Sequence, residues 1–217
     1  MIPNPYTGVF IVFEGIDGCG KTKQLELTQK WLCPKWTFAS VKEPGKDRPF
    51  GARIYQDLRR PNGLHKTDPL GFQTWFACDS KENLQRNINP RLNARCIILA
   101  DRFRPSMVYG VNNTGDLEKL MTMNKQIIGE DFIWPDIIFI FDVFAETAIK
   151  RLKEKGRDLD EFEQRKFLER VRVNYLLFAR IYPNCHIINA EGPPEKVFEE
   201  VKKIFLPILE SKPGPVV

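Results

Sequence analysis

No uninterrupted apolar stretch in the 217 residues reaches the ~18 that a bilayer-spanning helix requires; the longest, Ile137 to Phe141, is the size of a core strand. No membrane partner is therefore expected. Residues 1–8 hold no basic head leading into an apolar stretch, so no secretory signal is expected either, and a cytoplasmic location follows. Histidine is nearly missing: His65 and His186 alone are too few for a histidine-rich metal centre. The five cysteines (Cys19, Cys33, Cys78, Cys96 and Cys185) are odd in number and widely spaced, with no Cys-x-x-Cys pair. Disulfide scaffolds and zinc knuckles need closer or paired spacing, so these thiols are expected to be reduced and mostly buried. An excess of one charge is also wanting. With 33 Lys+Arg against 28 Asp+Glu, a net +5 suits a phosphate-handling protein but is too small and dispersed for duplex nucleic acid. Repeats and low-complexity tracts are absent, and 42% hydrophobic with 28% charged residues excludes collagen, long disorder and polar solenoids. The length fits one compact domain over 1–217, with its core at about 8–210 and a frayed tail at 211–217.

What is present is a set of short apolar runs at intervals: Val9 to Phe13, Cys96 to Ala100, Ile137 to Phe141 and His186 to Ile188. Runs without apolar/polar alternation mark strands buried on both faces, as in a parallel sheet covered by helices. Trp36 to Val41 is a weaker fifth candidate. Helical spacing lies between them, in Leu25, Thr28 and Leu32, then Leu168, Val171, Tyr175 and Phe178, then Val197, Val201, Ile204 and Ile208. Strand alternating with helix predicts a doubly wound α/β fold. Lys153 to Glu163 is densely charged around Gly156, as a solvated helix face or loop would be.

The strand Val9 to Phe13 runs directly into Gly15-Ile16-Asp17-Gly18-Cys19-Gly20-Lys21-Thr22, and a helical pattern follows. This is G-x-x-x-x-G-K-[ST] in the context the motif requires. Glycines let successive N–H groups curl around phosphate oxygens, and the helix N-terminus adds its partial positive charge. Lys21 reaches the terminal phosphates, and the Thr22 hydroxyl is a ligand for Mg²⁺. Asp101 ends the run Cys96 to Ala100, on the ligand side of such a sheet. Taken alone it is equally a helix-capping Asp; beside a P-loop the metal role prevails.

Three kinds of P-loop protein compete. A GTPase needs Asn-Lys-x-Asp to read guanine, whereas Asn124-Lys125 is followed by Gln126-Ile127. Oligomeric ATPases usually carry adjacent acids after the strand, whereas Asp101 is followed by Arg102. A small-molecule kinase is left.

Further segments bear on that class. Phe13 to Thr22, Glu43-Pro44-Gly45, Phe76-Ala77-Cys78-Asp79, Asp101-Arg102-Phe103 with Ser106, Trp134-Pro135-Asp136, and Phe167 to Ala179 occur in that order. Together they resemble the thymidylate (dTMP) kinases over roughly residues 8 to 205. The resemblance implies a P-loop NTPase fold with a five-stranded parallel sheet, helices on both faces, and a mobile lid at about 153–163. It implies transfer from ATP to a deoxynucleoside monophosphate, with Mg²⁺, in a homodimer. Lys21, Thr22, Asp17 and the amides of Gly15, Gly18, Cys19 and Gly20 would hold ATP, with Arg151 nearby. Asp17 would also face the 3′-hydroxyl of the acceptor deoxyribose. Arg102 would clamp the acceptor phosphate, for which a planar fork suits better than lysine. Asp101 and Thr22 would serve the metal. Glu43 and Pro44 would shape the acceptor pocket, Phe76 would stack on the base, and Ser80, Ser106 and Tyr109 would complete it. Gly18 is not basic, so the lid must supply the catalytic cation: Arg157, with Arg151 and Lys155 as rivals.

Departures from the family fall on the acceptor side. Ser80 stands where an arginine would hydrogen-bond thymine, and Lys81 is the expected substitute. Gly110 and Val111 stand where the family has an aromatic and then a Gln or Thr near the base, with Tyr109 adjacent. Tyr55 stands where an arginine binds phosphate, leaving Arg48, Arg53 or Arg59 to compensate. dTMP giving dTDP is still the expected transfer, with another deoxynucleoside monophosphate as the alternative acceptor, and an ATP-binding regulator that has lost transfer is the alternative from a different class.

Overall fold

The computed structural model describes residues 1–112, 115–156 and 161–211, with 161–163 as backbone only. Five strands, β1 (Phe10–Glu14), β2 (Phe38–Lys42), β3 (Ile97–Asp101), β4 (Ile137–Asp142) and β5 (Cys185–Asn189), form one parallel sheet in the order β2-β3-β1-β4-β5. The three continuous apolar runs are the three central strands. Every residue of β1 and β3 is buried, and so are the first five of β4. The two weaker runs are the edge strands, half-exposed because an edge has a neighbour on one side only. The first edge starts later than the sequence suggests. Trp36 is outside it and packs on Trp31, which meets Phe198 and Phe205.

Nine helices connect and cover these strands: α1 (Lys21–Leu32), α2 (Pro49–Asp57), α3 (Leu64–Thr67), α4 (Pro69–Asn83), α5 (Asn89–Asn93), α6 (Asp116–Ile128), α7 (Ala145–Glu154), α8 (Glu161–Ile181) and α9 (Pro194–Ser211), counted among the described residues. Between α4 and α5 the chain widens into a π turn over Leu84–Ile88. Pro90 explains it: a ring without an N–H cannot enter an α-helix interior, and one extra residue in the turn lets the rod continue. Residues Arg104–Gly110 form a 3₁₀ segment directly after β3.

The α8 stripe Leu168, Val171, Tyr175 and Phe178 is buried as its spacing predicts. Two other stripes differ. In α1 the buried side is Lys21, Gln24, Thr28 and Leu32, with Leu25 half-exposed, because the phosphate loop and the Gln24 bond to the Pro194 carbonyl set the rotation. In α9 the stripe continues through Phe205 and Leu209 in place of Ile204 and Ile208, since Trp31 anchors Phe205 inward. Of the five thiols, all free, only Cys19 and Cys96 are buried, so the expectation of mostly buried cysteines is corrected.

The strand order places the switch of connection direction beside β1 and β3, where ligands of such sheets bind. Phe13 is in register with Asp101, so the chain leaves both strands side by side. Aromatic packing fixes this frame: Phe139, fully buried, lies 5.8 Å from the Phe13 ring and 6.2 Å from Phe141. Phe139→Ala is expected to lower the unfolding free energy by about 3–5 kcal/mol in urea titration, while Val173→Ala, on an exposed position, should change it by less than about 0.5 kcal/mol.

Candidate active site

The loop after β1 turns through three left-handed glycines, Gly15 (φ 135°), Gly18 (φ 86°) and Gly20 (φ 102°). Packing leaves no alternative residue at two of them. A Cβ on Gly15 would sit 2.5 Å from the Phe141 carbonyl, and one on Gly18 2.4 Å from the Ala148 carbonyl. Lys21 opens α1, and its ammonium turns back over the loop to the carbonyls of Gly15 (2.8 Å) and Ile16 (3.0 Å). Thr22 is exposed in the first turn of α1. Arg151, on α7, donates to the Cys19 carbonyl (3.3 Å) and to Ala190 (3.0 Å), which holds it against the same loop.

At the carboxyl end of β1 stands Glu14, fully buried. It takes the Phe103 amide (2.7 Å), the Ser106 hydroxyl (2.9 and 3.1 Å) and the Tyr175 hydroxyl (2.7 Å). Burial raises its pKa, and the Arg102 cation opposes that rise. Arg102 itself is left-handed (φ 72°), a conformation that costs an arginine about 1–2 kcal/mol. The turn aims the Phe103 amide at Glu14 and the guanidinium at the phosphate loop. There Arg102 contacts Asp17 (2.6 Å), Tyr109 (3.3 Å), Ser106 (3.3 Å) and the Gly15 carbonyl (3.4 Å). Asp101 takes Lys42 Nζ at 2.8 Å; the lysine side chain is 59% exposed, and the acid caps no helix.

Beside this lies a cavity of about 1100 Å³. Asp17, Arg102, Ser106 and Tyr109 line its end nearest the phosphate loop, and Glu43, Pro44, Phe76 and Ser80 line it further on. The eight positions come from four separate segments: the phosphate loop, the loop after β2, α4 and the stretch after β3. Behind Glu43 and the cis Glu43–Pro44 peptide is a buried ion pair. Arg48 grips Asp79 through Nε (2.9 Å) and Nη2 (2.7 Å) and also reaches Asn83 (3.2 Å). Asp79 takes the Gly45 amide as well (3.1 Å), so the loop after β2 is fastened to α4. Glu43 accepts from Asn83 (2.9 Å); burial, with a smaller contribution from Asp79, pushes its carboxyl up to about 7.

Several expectations for this wall are corrected. Lys81 does not replace the missing arginine, because its ammonium is spent on the Ile127 carbonyl (3.0 Å) and lies off the cavity. Arg53 and Arg59 are exposed and line nothing here; of the three compensating arginines only Arg48 reaches the wall. Val111 is a core residue whose carbonyl takes Asn174 (3.1 Å). Gly110 does line the cavity, and Gln73 of α4 comes so close that a Cβ there would meet its amide at 2.8 Å. Off the cavity, Arg172 of α8 pairs with Asp142 at the end of β4 through two bonds (2.6 and 2.8 Å). Residues 157–160 of the expected lid, Arg157 among them, lie outside the described residues; of the rest, Lys153 to Gly156 are exposed at the end of α7, and the backbone of 161–163 opens α8. Two residues the sequence reading passed over, Glu14 as a hub and Arg104 on the cavity wall, carried no motif of their own.

A strand, a left-handed glycine cradle, a lysine over it and a helix behind it define a P-loop nucleotide-binding protein, here with an arginine-floored second cavity beside the cradle. The sequence profile of the family described as thymidylate kinase matches residues 13–201. Thymidylate kinases of Thermosipho melanesiensis and Thermosipho africanus are 32% and 35% identical, over 93% and 94% of this chain and the whole length of each relative. A probable thymidylate kinase of Pyrococcus abyssi is 32% identical over 89% of this chain and 94% of its own. The chain belongs to the thymidylate kinase family.

The raised Glu43 pKa carries a sign. Between about pH 4.5 and 7 the folded protein holds a proton that the unfolded chain releases, so this group's contribution to stability falls as pH rises through that window. Glu43→Gln removes the term. Measured as Tm from pH 5 to 8, the variant should gain on the wild type as pH rises, by up to about 2–3 kcal/mol at pH 8.

Proposed function

We propose that the protein transfers the γ-phosphoryl group of ATP to dTMP, giving ADP and dTDP. The observation that carries the reading is the Arg102–Asp17 pair (2.6 Å), which sits between the phosphate loop and the cavity. An incoming acceptor phosphate competes for Arg102, a fork that grips two phosphate oxygens, and frees Asp17 for the 3′-hydroxyl of the deoxyribose. Phe76 supplies a face for the base. On the donor side Lys21, Thr22, Arg151 and the amides of Gly15, Gly18, Cys19 and Gly20 hold the triphosphate.

In-line transfer between two anions needs alignment and charge neutralisation more than a covalent nucleophile, since the acceptor phosphate is itself the attacking group. Ser106 and Tyr109 hold the Arg102 fork from the cavity side, and Glu14 holds it from beneath. Mg²⁺ fits the oxygen donors available: the exposed Thr22 hydroxyl and the Asp101 carboxylate, whose lysine partner is exposed enough to yield. When bound it would neutralise charge on the triphosphate. A lid over residues 153–163, with Arg157 as its catalytic cation, excludes water that would otherwise accept the phosphoryl group. The homodimer and the cytoplasmic location belong to the same reading, and light scattering on the purified chain tests the dimer.

The test is ATP consumption with Mg²⁺ across deoxy- and ribonucleoside monophosphates. Turnover should peak on dTMP and fall at least ~10²-fold in Lys21→Ala. Activity centred on another monophosphate would overturn thymine as the base. Silence across the panel with ATP still bound would leave a regulator without transfer.

A further inference from the structure

Arg104 opens the 3₁₀ segment after β3, and its side chain is 3% exposed. Phe103 and Phe132 flank the guanidinium, with ring centroids at 4.3 and 4.1 Å, and Nη1 donates to the Ile133 carbonyl (2.7 Å). The other edge, Nε with Nη2, is buried and has no hydrogen-bond partner. These two N–H groups are the parallel, side-on pair of the fork. Arg48 uses the same edge to grip Asp79. Leaving such a pair buried and unmatched is costly for a cation, and burial draws the Arg104 pKa down to about 9.

A second orphan lies on the same wall. The Ser80 hydroxyl is buried without a partner, and both residues line the cavity with Phe76 and Glu43. The Glu43 carboxylate favours the Arg104 charge, but its hydrogen bond comes from Asn83. A planar fork of two donors beside a hydroxyl, next to an aromatic face, is complementary to a flat ring that presents an oxygen acceptor. We propose that Arg104 is the residue that selects the acceptor base: it donates to a ring carbonyl oxygen, the 4-oxo group of a pyrimidine, and rejects a 4-amino group, whose own N–H donors would face it. Ser80 assists by closing the same polar edge. The inference rests on the dTMP reading above, and deepens it by assigning the discrimination.

Sites that hydrogen-bond a substrate's polar edge reject an analogue lacking it by ~10⁴–10⁵, whereas apolar pockets manage ~10–200. The test compares kcat/KM for dTMP, dCMP and the dTMP analogue in which C4 carries hydrogen in place of oxygen. Wild-type enzyme should favour dTMP over both by at least ~10³. Arg104→Met should lose ~10² or more on dTMP and change less than about threefold on dCMP and on the analogue. Arg104→Lys, a point donor in place of the fork, should fall between. Equal losses on all three substrates would mean a structural role and overturn the proposal. So would a wild-type penalty of less than about threefold for the missing oxygen, a readout that needs no variant to fold. If wild-type enzyme prefers dGMP, also an oxo base, the dTMP reading fails. The selectivity of Arg104→Met for dGMP over dAMP then decides the role of Arg104 separately.

Discussion

Glu14 is a carboxylate with no exposure to solvent, placed at the last residue of the central strand β1. An isolated carboxylate in that position would cost several kcal/mol, and it survives because three donors converge on it. One comes from the Phe103 amide after β3, one from Ser106 in the 3₁₀ segment and one from Tyr175 on α8. These partners lie 89, 92 and 161 residues away in the chain. The Arg102 guanidinium, 3.9 Å from Glu14, is thereby caught between this buried acid and Asp17 of the phosphate loop. The left-handed backbone at Arg102 is affordable because the same bonds fix the turn on both sides.

Two different physical arrangements of charge meet in and beside the one cavity. Near the loop, the Lys21 and Arg102 cations are held over short distances by a backbone carbonyl and a carboxylate, so their charge is already paired. Further in, the Arg48–Asp79 pair is fully occupied and acts as a fastener between the β2 loop and α4. Arg104, by contrast, keeps two donors unmatched. The buried arginines of this chain are therefore not equivalent: one holds the pocket in shape, while the other is available to what enters it.

Much of the fold was legible because burial on both faces forces unbroken apolar runs, and these gave β1, β3 and β4 directly. Edge strands, wetted on one side, carry mixed patterns, which is why the sequence places the start of β2 too early, at Trp36. The phosphate loop was legible to the residue, since its glycines, lysine and threonine act through local backbone geometry. The acceptor wall was less so. Lys81, Arg53 and Arg59 are near it in sequence, but the helix rotation turns Lys81 and Arg53 away and Arg59 lies in the exposed turn after α2. Arg104 follows the Asp101-Arg102 pair by two residues with no pattern to distinguish it from a surface cation. Its burial comes from Phe103 and Phe132, the latter supplied from beyond α6.

The sequence by itself determined the parallel sheet, the glycine cradle and the family, because each depends on contiguous residues whose spacing carries the physics. The tertiary structure decided which charges do what. Whether an arginine is a fastener, the partner of a phosphate-loop carboxylate or an unmatched donor depends on the acceptors brought to it from other elements. Those distances, 2.7 Å from Arg48 to Asp79 and 2.6 Å from Arg102 to Asp17, exist only once the chain has closed.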